Sequence, residues 1–271
     1  MARRRMLGMA AAVLCVSISI GALTADAATP AWRGVTGSTY QTWSFGSNAN
    51  PAPPDPSNNA YGQASAGITV GLYGSGWLST LPGLGTLSGY WDLGGPGGKI
   101  TLDIPNGPTT LSYKKIWVQV TAFLDITQLP LVTIPGAELV GTQTLLFQHV
   151  PTGGDWYTVV TRWRLWPNPG QEQVQVTTDP AWGAVVDQVV VDTIAFACNP
   201  TPQDTDGDGD VDLSDWGRLQ GCFNGVDQPW SGSASDPACS CLDSDLDDDV
   251  DLTDFNAFAT CFNGPDQSPG C

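Results

Sequence analysis

From Ile116 to Leu124 the chain alternates. Ile116, Val118, Val120, Ala122 and Leu124 fall on one side of an extended backbone, and Trp117, Gln119, Thr121 and Phe123 on the other. The stretch Trp156 to Trp166 has the same period. Tyr157, Val159, Thr161, Trp163 and Leu165 share one face, and Trp156, Thr158, Val160, Arg162, Arg164 and Trp166 share the opposite one. Shorter apolar runs predict further strands at 100–104, 144–149, 172–177 and 185–197. Turn clusters separate them, among them Gly94-Gly95-Pro96-Gly97-Gly98 and the proline-rich 50–59, which is expected to be an extended surface loop. Many short strands without a helical period predict an antiparallel β-sandwich, jelly-roll-like, over residues 28–198.

The pattern changes at Cys198. Asn199-Pro-Thr-Pro-Gln203 reads as a short stiff linker, and 204–271 is an internal duplication offset by 39 residues. Asp204 to Asp215 aligns with Asp243 to Asp254, and Cys222-Phe-Asn-Gly225 aligns with Cys261-Phe-Asn-Gly264. Behind each acidic run, Leu213, Trp216, Leu219 and Phe223, then Leu252, Phe255, Phe258 and Phe262, take the spacing of one helix face. Each Asn-Gly is expected to end its helix as an αL cap.

Charge sharpens the division. The last 73 residues hold sixteen Asp, no Glu and a single basic residue, Arg218, within a chain of net charge −17. Such a surface repels a phosphate backbone, so nucleic acid is excluded as a partner and hard cations are favoured. At the other end, Arg3 to Arg5, the apolar stretch from Leu7 to Leu23 and Ala25-Asp26-Ala27 have the order of a cleaved export signal over 1–27. No later stretch is long and apolar enough to span a bilayer, so the mature protein is expected to be secreted, extracellular or at the cell surface. Cys198, Cys222, Cys239, Cys241, Cys261 and Cys271 then form an even set suited to disulfides, with fifteen possible pairings.

Twelve-residue loops with carboxylates at positions 1, 3, 5, 9 and 12 suit calcium, which takes six to eight oxygens in flexible geometry. The expected ligands are Asp204, Asp206, Asp208, Asp210, Asp212 and Asp215 in the first loop, Asp210 through its carbonyl. In the second they are Asp243, Asp245, Asp247, Asp249, Asp251 and Asp254. Gly209 occupies position 6 of the first loop, where the chain must turn sharply. Asp248 stands there in the second, which is expected to make that site weaker. Val211 and Val250, at position 8, are expected to form a backbone bridge between the loops. Asp at position 12 with one helix after each loop resembles the dockerin type I family over about 204–271. The resemblance implies a paired EF-hand-like, calcium-dependent fold that docks on a cohesin-like or other extracellular partner. Positions 10 and 11, Leu213-Ser214 and Leu252-Thr253, depart from the Ser/Thr pairs of cellulosomal members. The Asp-rich, Cys-Phe-Asn-Gly style is similar to the tails of planctomycete-type exported proteins.

The front domain carries nine of the eleven Trp. Trp156 and Trp166, on the strand face shared with Arg162 and Arg164, are the candidates for a sugar-stacking platform. His149 is the only histidine and sits at strand spacing, so a structural role is favoured over a hydrolytic triad. No carboxylate pair is singled out by spacing for glycosidase chemistry. The sequence therefore predicts a non-catalytic, two-part exported protein, its acidic module holding a sandwich with a capacity for polysaccharide in an extracellular assembly. The alternative is a glycoside hydrolase or lyase carried by a dockerin. The sandwich is expected to be indifferent to removal of the metal.

Overall fold

The computed structural model describes residues 28–271 apart from 81–86, 88, 108–110, 125–128, 152, 179–182 and 229–236. The expected export signal, residues 1–27, lies outside the described residues. In chain order the strands are β1 (Thr39–Trp43), β2 (Ser57–Asn58), β3 (Ser65–Thr69), β4 (Gly76–Leu78), β5 (Tyr90–Asp92), β6 (Lys99–Pro105), β7 (Tyr113–Leu124), β8 (Leu131–Thr133), β9 (Ala137–Val150), β10 (Gly154–Leu165), β11 (Gln171–Thr177) and β12 (Val185–Phe196). Three helices follow: α1 (Leu213–Cys222), α2 (Pro237–Leu242) and α3 (Leu252–Cys261).

The protein is mainly β, and every strand pairing is antiparallel. The larger sheet runs β2-β1-β12-β7-β10-β9, with β4 and β5 attached beside β12, and the smaller runs β3-β6-β11-β8. The expected strands recur, those at 100–104, 144–149 and 172–177 with longer bounds, that at 185–197 ending one residue earlier and that at 156–166 shifted to Gly154–Leu165, and the Gly94–Gly98 run joins β5 to β6. The proline-rich 50–59 segment is less free than expected. It contains β2, and Ala52 bridges to Ala66.

Period two decides what each sheet buries. Ile116, Val118, Val120 and Ala122 of β7, with Val189 and Val191 of β12 and Trp163 and Leu165 of β10, form a core with Ile100, Leu102, Ile104, Val174 and Val176 of the small sheet. Adjacent lysines part in the same way. Lys114 turns toward the small sheet, where its Nζ meets Glu172 Oε2 at 2.6 Å and also donates to Asn106. Lys115 points out of the opposite face.

That opposite face is also covered. Every residue of β7 from Tyr113 to Phe123 is buried. Trp117, Tyr113, Val160, Ile194 and Phe196 share a second core with Trp32, Cys198, Cys241 and Leu246. The C-terminal module therefore lies against the sheet, and residues 199–203 are not a free spacer: Gln203 is buried and the Cys198–Cys241 disulfide crosses the joint. The other two bonds, Cys222–Cys239 and Cys261–Cys271, lie within the module. Among the described residues no helix is long and apolar enough to cross a membrane.

Two outcomes test this packing. Glu172→Gln leaves the Lys114 ammonium buried without its counter-charge, and chemical denaturation should show a loss of about 3–5 kcal/mol. Asp187 lies at the β12 register shift, and burial raises its pKa to about 7. A raised carboxylate means that the folded state binds the proton more tightly than the unfolded one, so its contribution falls as pH rises toward 7. Asp187→Asn should therefore stabilise the protein by about 1–3 kcal/mol at pH 8, and by progressively less as the pH is lowered to 5.

Candidate metal centre

Each acidic run closes into a loop on the first turn of a helix. Asp212 caps α1 by accepting from Ser214 N, while Asp215 accepts from Asp212 N; Asp251 and Asp254 repeat this at α3. The position-12 carboxylates also reach back to the loop entrance. Asp215 Oδ1 accepts from Thr205 N at 2.6 Å, and Asp254 Oδ1 from Ser244 N at 2.5 Å. Position 1 gathers the loop interior: Asp204 accepts from Gly207 N and Gly209 N, and Asp243 from Asp247 N and Asp248 N. These bonds use backbone donors, which leaves other carboxylate oxygens facing one another.

Four trios result, in each of which one carboxylate oxygen per residue lies within 4.8 Å of the others. They are Asp204, Asp206 and Asp215; Asp210, Asp212 and Asp215; Asp243, Asp245 and Asp254; and Asp249, Asp251 and Asp254. Each loop thus holds two trios that share position 12, one with positions 1 and 3 and the other with positions 7 and 9. The position-5 residues, Asp208 and Asp247, belong to no trio; each accepts from the backbone N–H two residues on. Buried Oδ1 atoms of Asp210 and Asp249 have no hydrogen-bond partner among the described residues. Desolvation and like charges push Asp245 and Asp254 up to about 7, and Asp249 to about 6. Crowded, partly dry, all-oxygen sites of this kind suit either protons or a hard cation.

The repeats brace each other differently from the expected Val211–Val250 bridge. Val211 O accepts from Asn263 N and Gly264 N, and Val250 O from Asn224 N and Gly225 N. Asp210 Oδ2 accepts from Asp266 N, and Asp249 Oδ2 from Asp227 N, both at 2.6 Å. Each loop therefore pairs with the turn after the other repeat's helix. This also corrects the expected caps: the C-caps Phe223 and Phe262 are extended, and Gly225 and Gly264, at φ 89° and 88°, turn the chain toward the opposite loop.

The expected apolar stripes are likewise split. The buried helix positions are Asp215, Leu219 and Cys222, then Asp254, Phe258 and Cys261, while Leu213, Phe223, Leu252 and Phe262 are exposed. An inward carboxylate at the loop and an inward cysteine about two turns on fix which face turns in. Trp216, Phe255 and Phe262 then line an open apolar groove of about 360 Å³.

The loops differ where they meet the sheet. Positions 4 and 6 are Gly207 and Gly209 in the first, and Leu246 and Asp248 in the second, all with positive φ (78°, 97°, 60° and 75°). Leu246 is wholly buried in the core shared with Trp32 and Trp117, and Asp248 Oδ2 accepts from Ala31 N at 2.7 Å. Lys115 Nζ meets Asp243 Oδ2 at 2.5 Å, with the two side chains 1% and 0% exposed. The two non-glycine residues in left-handed backbone thus join the Lys115–Asp243 pair in holding this loop to the sandwich, Leu246 through the core and Asp248 through the segment before β1, and the lysine was not singled out by any sequence pattern.

The proposed platform does not form. Trp156 is fully buried, edge-on to Phe123 and beside Tyr90, because the far end of that strand face has its own core. Arg162 lies over Trp117, 4.8 Å from the ring centroid. Only Arg164, bonded to Glu138, and Trp166, 39% exposed, reach an open cleft of about 510 Å³ where the sheet meets the module. His149 is exposed and pairs with Asp155 at 2.6 Å. No family model and no curated protein matches this chain.

Asp248 offers a local test. If position 6 demanded only conformational freedom, Asp248→Gly would stabilise the protein. Loss of the bond to Ala31 should outweigh that relief, with a net cost of about 1 kcal/mol by chemical denaturation of the full chain.

Proposed function

We propose that the C-terminal module is a dockerin-like, duplicated calcium-binding unit, and that this secreted protein uses it to hold its β-sandwich in an extracellular or cell-surface assembly. The observation that carries this reading is the repeated gathering of carboxylates at positions 1, 3, 7, 9 and 12, with orphaned buried oxygens at Asp210 and Asp249. Oxygen-only donors in a flexible loop fit calcium's coordination, and neither histidine nor thiolate is present in either loop. Asp204, Asp206, Asp210, Asp212 and Asp215, with their counterparts Asp243, Asp245, Asp249, Asp251 and Asp254, would supply side-chain oxygens, the position-7 pair through the Oδ1 atoms left without partners in place of the carbonyls expected from sequence. The cation supplies positive charge where carboxylates crowd; the chain's own residues close the loops by the backbone bonds described above. The open apolar groove between α1 and α3 supports docking of a cohesin-like or other extracellular protein.

A second reading rests on the cleft beside Trp166. An exposed indole next to the Arg164–Glu138 pair suits a sugar ring, with an apolar face to stack and planar polar groups for its hydroxyls. A polysaccharide-active enzyme is the less supported form of this reading, because Glu138 is the only acidic residue lining the cleft among the described residues.

Calorimetric titration of the full chain should show two calcium ions bound, with Asp215→Ala abolishing one site and Asp254→Ala the other. No uptake at millimolar calcium would end the assignment. For the cleft, Trp166→Ala should reduce retention on a polysaccharide affinity gel about tenfold with thermal stability unchanged. Release of sugar by the parent protein would favour the enzyme instead.

A further inference from the structure

The two acidic loops share a ligand pattern but not their surroundings. The first carries six Asp over its twelve residues, and its position-6 glycine faces open space. The second carries seven, because Asp248 replaces that glycine, and it is pressed against the large sheet. Lys115 reaches it from β7, a strand more than a hundred residues earlier. Lys115 Nζ contacts Asp243, the position-1 residue, on the same Oδ2 that accepts from Asp248 N. With Lys115 included, the two loops have equal net charge. The same joint contains the Ala31–Asp248 bond, buried Leu246 and the Cys198–Cys241 disulfide.

We propose that Lys115 is a resident counter-ion of the second loop, making that loop a joint in which divalent-cation binding and the packing of the sheet are thermodynamically coupled, whereas the first loop has no such buried counter-ion among the described residues. The inference rests on the calcium reading of the loops and goes beyond it by assigning them different roles. A buried ammonium repels an incoming cation, so it lowers the second loop's affinity; it also compensates Asp243 when no cation is bound, so the joint persists without metal. A cation that binds only the folded loop stabilises everything cooperative with that loop, including β7. Calcium should then strengthen the sheet as well as the module, contrary to the independence expected from sequence.

The test is calcium titration of the full chain, with hydrogen exchange read peptide by peptide. In an Asp215→Ala background, which isolates the second site, Lys115→Met should raise calcium affinity about tenfold, because the repulsion is removed and the metal-free state loses its counter-ion. Lys115→Arg should keep the parent affinity. In an Asp254→Ala background, which leaves the first site, Lys115→Met should change affinity less than twofold. In the same Asp215→Ala background with Lys115 intact, chelation should speed exchange of peptides from β7 severalfold, a readout that stands even where Lys115→Met does not fold. Two calcium ions bound with equal affinity before and after Lys115→Met, or β7 exchange unmoved by chelation, would overturn the joint and leave the calcium sites intact. Absence of any calcium binding would overturn both.

Discussion

The central strand β7 is buried along both faces for nearly its whole length, and this constraint organises the molecule. A two-layer sandwich covers only one face of a sheet, so a strand that carries Ile116, Val118 and Val120 on one side and Tyr113, Trp117 and Phe123 on the other needs a cover on each. The small sheet supplies the first. On the second side the acidic module covers one end through Cys241 and Leu246, joined by Trp32 from the segment before β1, while Trp156, Tyr90 and Val150 close the other. The C-terminal module is therefore part of the same folded unit as the sheets.

That arrangement brings a strongly acidic module onto a buried surface, and a charge taken out of water needs a partner. Lys115 against Asp243 and the Ala31 amide on Asp248 answer the need at the second loop. The first loop stays nearer to solvent and keeps glycines where the second has Leu246 and Asp248. The divergence between two otherwise matching repeats thus follows from where each one sits. What looks in the sequence like a weakened second loop is a loop adapted to an interface.

Within the module, helices of ten residues bury little by themselves, and cohesion comes from reciprocity. Each loop's position-8 carbonyl and position-7 carboxylate accept from the turn after the other repeat's helix, and two disulfides close the same turns. This bracing holds carboxylates near one another against their repulsion. It also leaves Trp216, Phe255 and Phe262 together along an open groove.

Local rules acting within a strand or a loop were legible from sequence alone. Period-two alternation assigned both faces of β7 and β10 correctly, because a pleated backbone leaves a side chain no other choice. The 39-residue repeat marked both loops, and the trios formed from the expected aspartates, since spacing within a twelve-residue loop is set by the loop itself. Tertiary structure decided everything that depends on which surfaces meet. It buried Trp156 within β10 and left Trp166, just past the strand's end, exposed, because one end of that strand meets a core and the other a cleft. It turned Asp215 and Cys222 inward in place of Leu213 and Phe223, paired each valine with the opposite turn, and set Lys114 and Lys115 against different partners. Lys115 and Asp243 stand 128 residues apart, and no local pattern encodes a contact made only when a sheet and a loop come to cover each other.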